Sequence, residues 1–299
     1  MKENPALSTP LQHWLDKGKT FSWQGHDIFY IDEGDPALPV ILLVHGFPTS
    51  SYDFSYMWES LRSRYRLVCL DMLGFGLSDK PDQRNYKIHK QADLFESLID
   101  ALEISDYHML THDYGVSVSQ EMLARKADGT AKGNCLSCCF LNGGLFPETH
   151  HALLIQKVLL SPFGKLVNKL NGFASFSKSF SRVFGEETKP SDEELALFWE
   201  VINYKGGKHL FHNLITYIND RREHRERWLQ ALQNSPIPLA VINGSVDPVS
   251  GSHLVSRYQE LDCRLDYLAE LKELGHYPHT EDAELVSTHY LKFMDEYCA

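Results

Sequence analysis

The chain has 299 residues, 43% hydrophobic and 23% charged, too apolar for a disordered chain and too interrupted by charge for a membrane-embedded one. Lys and Arg number 29 against 40 Asp and Glu, a formal net charge of −11, so neither a basic surface broad enough for a phosphate backbone nor a nucleic-acid partner is expected. The length argues for about two domains or subdomains.

The 6 cysteines are too few for a disulfide scaffold. Cys135, Cys138 and Cys139 share one apolar run and read as small buried side chains of a reduced protein. The first residues carry Pro5, Pro10 and Asp16 with no apolar core, so no signal peptide is expected, and no run reaches the roughly 18 apolar residues of a bilayer span. A cytoplasmic location follows as an expectation.

In chain order, 20–31 gives two strand-like runs around Gly25 and predicts a hairpin. The continuous apolar run 39–48 ends at Gly46 and Pro48, and 65–71 repeats the type; both fit strands buried on two faces. From Tyr86 to Ile104 the period becomes helical, with Ile88, Ala92, Phe95, Leu98, Ile99 and Leu102 on one face. A strand at 107–112, a helix at 115–127 and a strand at 134–142 follow. Such alternation means crossovers onto a mostly parallel sheet. From about Phe146 to Trp228 the pattern is helical throughout, with predicted helices at 150–160, 192–202 and 212–232. Strand language returns at 237–245, and a helix at 281–297 closes the chain. One core at 1–145 and 229–299, interrupted by a helical cap at 146–228, accounts for this order. The charged run 220–227 reads as a solvated helix face.

Four features fall at successive strand ends. Thr111-His112-Asp113-Tyr114-Gly115 occupies a predicted strand-to-helix turn, where a side chain stands exposed at a helix N-terminus. An aspartate there could be a simple helix cap. The His45-Gly46-Phe47-Pro48 turn, however, can aim the Phe47 amide at the point the Tyr114 amide faces, which makes an oxyanion hole. Asp247 follows the strand at 237–245, and His276 precedes the last helix. The chain order nucleophile, acid, histidine is that of an α/β hydrolase.

With these residues in place, HGFPTSSYDF, DMLGFGLSDKP, HDYG, VDP and GHYP resemble the α/β-hydrolase subgroup of epoxide hydrolases and haloalkane dehalogenases over nearly the whole chain. LNGGLFPETH and YIND with RW beyond it resemble the mesoderm-specific-transcript-like branch. The resemblance implies an α/β-hydrolase fold, a mostly parallel sheet flanked by helices with an inserted helical cap, and no cofactor or metal. His108, His112, His150, His151 and His279 show no metal-ligand spacing. GFGLS at 74–78 lacks the ending of a phosphate loop, and the family uses that turn structurally.

The chemistry implied is displacement at a saturated carbon of a small-molecule substrate. Asp113 would form an alkyl ester, and His276, oriented by Asp247, would activate the water that hydrolyses it. For an epoxide, the family's cap tyrosine maps by its spacing before Pro238 to Tyr217. The second family tyrosine is absent, and Tyr204 is the nearest substitute. His45, His112 and Tyr204 are expected to line the pocket. An epoxide hydrolase is the first expectation. A haloalkane dehalogenase is the second, although Tyr114 and Phe47 stand where dehalogenases place halide-binding side chains. A catalytically idle binding fold is the third. Val116 is larger than the residue the family usually places there.

Overall fold

A computed structural model describes residues 6–82, 86–149, 154–161, 164–170 and 172–298. Its centre is one 8-stranded sheet in the order β1-β2-β4-β3-β5-β6-β7-β8, from β1 (Lys19–Trp23), β2 (His26–Glu33), β3 (Val40–Val44), β4 (Arg66–Leu70), β5 (Asp106–Thr111), β6 (Asn134–Phe140), β7 (Leu239–Gly244) and β8 (Tyr267–Leu271). β1 and β2 form the expected hairpin: Trp23 faces His26, and Gln24 and Gly25 between them both take positive φ, 51° and 80°. Two left-handed residues make a turn whose twist matches that of paired strands. β2 pairs antiparallel with β4, and every neighbour from there to β8 is parallel.

All residues of β3 and β7 are buried, which explains their uninterrupted apolar runs. The chain leaves β3 for β4 on one side and returns to β5 on the other. That reversal opens a crevice at the carboxyl ends of β3 and β5, where ligands bind in sheets of this kind. The 39–48 turn and the 111–115 turn meet there.

The helix expected from the period after Tyr86 runs Ile88–Ala101, and its predicted apolar face is the buried one. Helix Tyr114–Ala127 is buried along most of its length. Between β6 and β7 the described elements are all helical. The expected helix at 150–160 appears as Leu154–Leu159, and His150 and His151 lie outside the described residues. Asp192–Asn203 begins with a full capping box in which Ser191 and Glu194 exchange bonds. The single helix expected at 212–232 is three: Phe211–Leu214, Tyr217–Glu223 and Arg225–Gln233. The last of these already docks on the sheet layer, where Trp228 Nε1 donates to Glu121 at 2.9 Å. Helix Thr9–Lys17 has no counterpart in the sequence reading; two buried side chains, Leu11 and Trp14, anchor it, too few for a periodic signal.

The charged run 220–227 corrects the reading of a solvated face. Arg222, Glu223 and Glu226 are exposed, yet Asp220 and Arg221 are each 1% exposed. Asp220 accepts the Ile88 amide at 2.9 Å and pairs with Lys87, capping a helix of the sheet layer from outside it. Periodicity cannot register a buried charge whose partners lie in other segments.

All six cysteines are free thiols, and Cys135, Cys138 and Cys139 are buried in β6, where burial pushes their pKa up and keeps them protonated. Among the described residues no helix is long and apolar enough to cross a membrane.

Candidate active site

Asp113 stands between β5 and helix Tyr114–Ala127 with φ 45° and ψ −104°, a backbone conformation that side-chain-bearing residues rarely adopt. The bend is held from both sides: the Asp113 amide donates to the Asn142 carbonyl at 2.8 Å and the His112 amide to the Val44 carbonyl at 2.9 Å. Gly115 is required by contact, since a Cβ there would lie 2.3 Å from the Val44 carbonyl oxygen. Val116 fits because its neighbour is Gly143: a Cβ on residue 143 would stand 2.7 Å from the valine methyl.

The Phe47 amide, in the turn after β3, donates to Asp113 Oδ2 at 3.0 Å. Tyr114 heads the helix that follows Asp113. The other carboxylate oxygen, Oδ1, lies 3.8 Å from His276 Nε2 and 3.8 Å from Arg221 Nη2. His276 Nδ1 meets Asp247 Oδ2 at 2.7 Å. Asp247 is held in turn by the amides of Val249 at 2.7 Å and Ser250 at 3.0 Å, the Ser250 hydroxyl at 2.7 Å and Asn142 Nδ2 at 3.0 Å. Asn142 thus joins the acid loop to the elbow, a role that nothing in its sequence context marks.

Burial alone would raise the Asp247 carboxyl, but the His276 charge and these hydrogen bonds take it down to about 2. Burial also disfavours imidazolium at His276, and is outweighed by the charge and hydrogen bond of Asp247 and the charge of Asp113, which raise it to about 9. Asp247 and His276 therefore rest as a carboxylate–imidazolium pair.

Tyr217 is fully buried, with its ring 4.8 Å from that of Tyr114 and 6.1 Å from that of Phe47. Its hydroxyl has no hydrogen-bond partner among the described residues. Burial and the charge of Asp113 raise its phenol, while Arg221 lowers it. Arg221, beside it on the same helix, was not singled out from the sequence. Its guanidinium lies 4.5 Å from the Tyr217 ring centre, and it donates to the Ser117 hydroxyl at 2.7 Å and the Asp113 carbonyl at 3.2 Å.

Three expected pocket residues are placed differently. His45 spends both ring nitrogens on backbone, Nδ1 donating to the Gly46 carbonyl at 2.9 Å and Nε2 accepting the Met72 amide at 3.0 Å; it is a brace of the turn. His112 is buried and donates Nε2–H to the His276 carbonyl at 2.8 Å, tying the elbow to the loop of the base. The Tyr204 ring has Lys80 Nζ at 5.7 Å and Lys205 Nζ at 5.9 Å, contacts that do not involve Asp113.

Asp53, His112 and His279, all buried, bring one ligand-type atom each within 4.8 Å of one another and are the described residues that could hold a metal ion. Spacing along the chain did not reveal this group, because Asp53 reaches it from the 3-10 turn Ser51–Tyr56. Burial keeps both imidazoles neutral, His279 at about 3 and His112 well below its ordinary value.

A parallel sheet with a strained aspartate elbow after β5, an amide donor after β3, and an Asp–His pair from the last loops defines the α/β-hydrolase class. Residues 39–163 match the family model described as alpha/beta hydrolase fold. The chain is 38% identical to the mouse mesoderm-specific transcript protein over 98% of its own length and 90% of that protein's, and it belongs to the mesoderm-specific transcript family of α/β hydrolases. It is 34% identical to LipZ of Mycobacterium tuberculosis, named as a hydrolase, over 92% of this chain and 94% of LipZ. Haloalkane dehalogenase 2 of Mycobacterium bovis is 37% identical over 44% of each chain. Among solved structures, haloalkane dehalogenase DbeA of Bradyrhizobium elkani superposes with a TM-score of 0.78 at 19% identity, over 93% of this chain and 97% of that one.

Proposed function

We propose that the protein is a hydrolase that attacks a saturated carbon of a small-molecule substrate through Asp113, forming an alkyl ester that a water activated by His276 then cleaves. The observation that carries this reading is the carboxylate itself: Oδ2 is held by the Phe47 amide at 3.0 Å and Oδ1 faces His276 at 3.8 Å. A carboxylate at that point suits displacement, with the Phe47 and Tyr114 amides receiving the oxyanion when the ester carbonyl is attacked. The helices between β6 and β7, with 146–228 as their span, act as the cap over the site.

The preferred substrate is an epoxide. Ring opening puts an alkoxide on the departing oxygen, and the Tyr217 hydroxyl, buried and with no close hydrogen-bond partner among the described residues, supplies its proton. Once His276 has released its resting proton to solvent, water adds its hydroxyl to the ester carbon and its proton to the neutral imidazole. The proton on His276 goes to the departing alcohol, and the carboxylic acid left on Asp113 returns one to the Tyr217 phenolate. A haloalkane is the second reading, favoured by the dehalogenase relative and the dehalogenase fold neighbour.

The test is the intact mass of a His276→Gln variant after exposure to epoxides and, separately, to bromoalkanes. Without the base the ester should persist. A gain equal to a whole epoxide, mapped to Asp113, supports the first reading; a gain of the alkyl group without bromide supports the second. No adduct from either panel with a folded protein overturns both and favours a binding role for the fold.

A further inference from the structure

Asp53, His112 and His279 reach one point from three separate segments. Asp53 lies in the 3-10 turn Ser51–Tyr56, His112 directly precedes Asp113, and His279 follows His276 closely in the short helix Pro278–Glu281. All three are 0% exposed, and one ligand-type atom of each lies within 4.8 Å of the others. The two imidazole rings have their centres 4.5 Å apart, and the Phe54 ring lies 5.2 Å from that of His279.

Four polar atoms of this group have no hydrogen-bond partner among the described residues: Asp53 Oδ1, His112 Nδ1 and both ring nitrogens of His279. Buried polar atoms are ordinarily paired, so a concentration of orphans in one place points to a ligand. Each residue has a lone pair to give. His112 donates Nε2–H to the His276 carbonyl at 2.8 Å, which makes Nδ1 the acceptor of that tautomer. A backbone carbonyl on the second ring nitrogen is also how metal-ligating histidines are commonly held. Neutral His279 keeps a lone pair on one of its nitrogens. The Thr49 hydroxyl donates to Asp53 Oδ2 and leaves Oδ1 free. Acceptors outnumber donors in this group, and a cation corrects that imbalance.

We propose that Asp53, His112 and His279 form a structural zinc site that ties together the elbow, the loop of the base and the turn after β3. Two imidazoles and a carboxylate are ligand types of Zn²⁺, each at about 2.0–2.2 Å, with the fourth position here going to a water molecule. Ligand atoms of a tetrahedral ion at that distance stand about 3.4 Å apart, so binding draws in those that start at up to 4.8 Å. Full burial closes the ion to substrate, and its work is to hold the three loops. Burial and the charges of Asp71 and Asp113 push the Asp53 carboxyl well above its usual range, and a bound dication reverses that. The site does not depend on the ester chemistry of Asp113, and no part of its test reads activity.

Protein produced in zinc-supplemented medium and freed of loose metal on a chelating column should retain about one equivalent of Zn²⁺ by plasma mass spectrometry. Asp53→Asn, which keeps an acceptor for Thr49, and His279→Gln should each lose it, while the exposed His13→Gln should not. Added to chelator-treated wild type at about a hundredfold excess over Kd, Zn²⁺ should raise the Tm by about 5 °C, and it should leave the Tm of both variants unchanged. Co²⁺ in place of zinc should give the visible spectrum of a tetrahedral ion without a thiolate charge-transfer band, which separates this site from the free cysteines. If His279→Gln does not fold, Asp53→Asn and the cobalt spectrum decide. A wild type with neither retained zinc nor a rise in Tm, zinc retained by both variants, or a thiolate band overturns the proposal and leaves water to bridge the three side chains.

Discussion

Changing the pH should separate the two halves of the proposed reaction, because His276 is asked to be charged in the first and neutral in the second. In the resting enzyme its imidazole titrates at about 9, against an ordinary value of 6.5. That difference corresponds to a preference for the charged form of about 3 kcal/mol. Ester formation neutralises Asp113, whose oxygen lies 3.8 Å from Nε2. A charge pair at that distance is worth about 1 kcal/mol in water and about 4 kcal/mol at the effective dielectric of a protein surface. Asp113 ranks behind Asp247 among the groups that raise His276, so the lower part of this range applies, and the imidazole should fall by about one pK unit on ester formation. Ester decay, followed by rapid quench and intact mass, should then rise about tenfold per pH unit up to an apparent pKa of about 8 and level off above it. The free enzyme, followed by NMR of the His276 ring, should titrate about one unit higher. Decay that is flat across this range, or an ester-state pKa above the free-enzyme value, refutes the reasoning.

Three further outcomes are expected. Asp247→Asn should leave ester formation intact but slow its decay by about 10³–10⁴-fold, measured as accumulated adduct, since an amide neither fixes the tautomer of His276 nor supports its charge. Stability should also carry the signature of His276: a raised folded pKa contributes fully below about pH 6.5 and is lost as the pH climbs through about 9, so urea titrations should show an alkaline decline that His276→Gln lacks. Gly115→Ala should destabilise the fold by more than about 3 kcal/mol, read as a lowered Tm, because its Cβ would sit 2.3 Å from a backbone oxygen of β3 that cannot move without the sheet; an unchanged Tm would show that the elbow yields.

The sheet was legible because burial on two faces writes itself into sequence: the runs behind β3, β4, β5, β6 and β7 admit few other readings. The positions of Asp113 and Asp247 were legible for a related reason, since each lies shortly beyond one of these strands, while His276 was read from its place ahead of the last helix and from the order of the three; β8, which it follows, left no such run. Arg221 and Asp220 were not. Their partners, Ser117, Asp113, Ile88 and Lys87, lie more than ninety residues away, and on a helix otherwise rich in exposed charge nothing local distinguishes a buried arginine from a solvated one. His45 and His112 failed in the opposite direction. Proximity to the site in sequence suggested contact with substrate, whereas each had its ring nitrogen drawn to backbone. Asn142 and the Asp53 group depend on loops meeting in space, which pattern does not convey.

The doubled anchorage of helix Tyr217–Glu223 bears on how a substrate gets in. One residue closes the end of a helix of the sheet layer and the next grips the elbow, so lifting this helix would strip a cap from Ile88 and part Arg221 from Asp113 in one motion. Two such losses coupled in one short helix hold the Tyr217–Glu223 segment in place as a wall beside Asp113. If the helices between β6 and β7 move at all, the movement is expected on the N-terminal side of Tyr217, while Tyr217 and Arg221 keep their positions at the elbow.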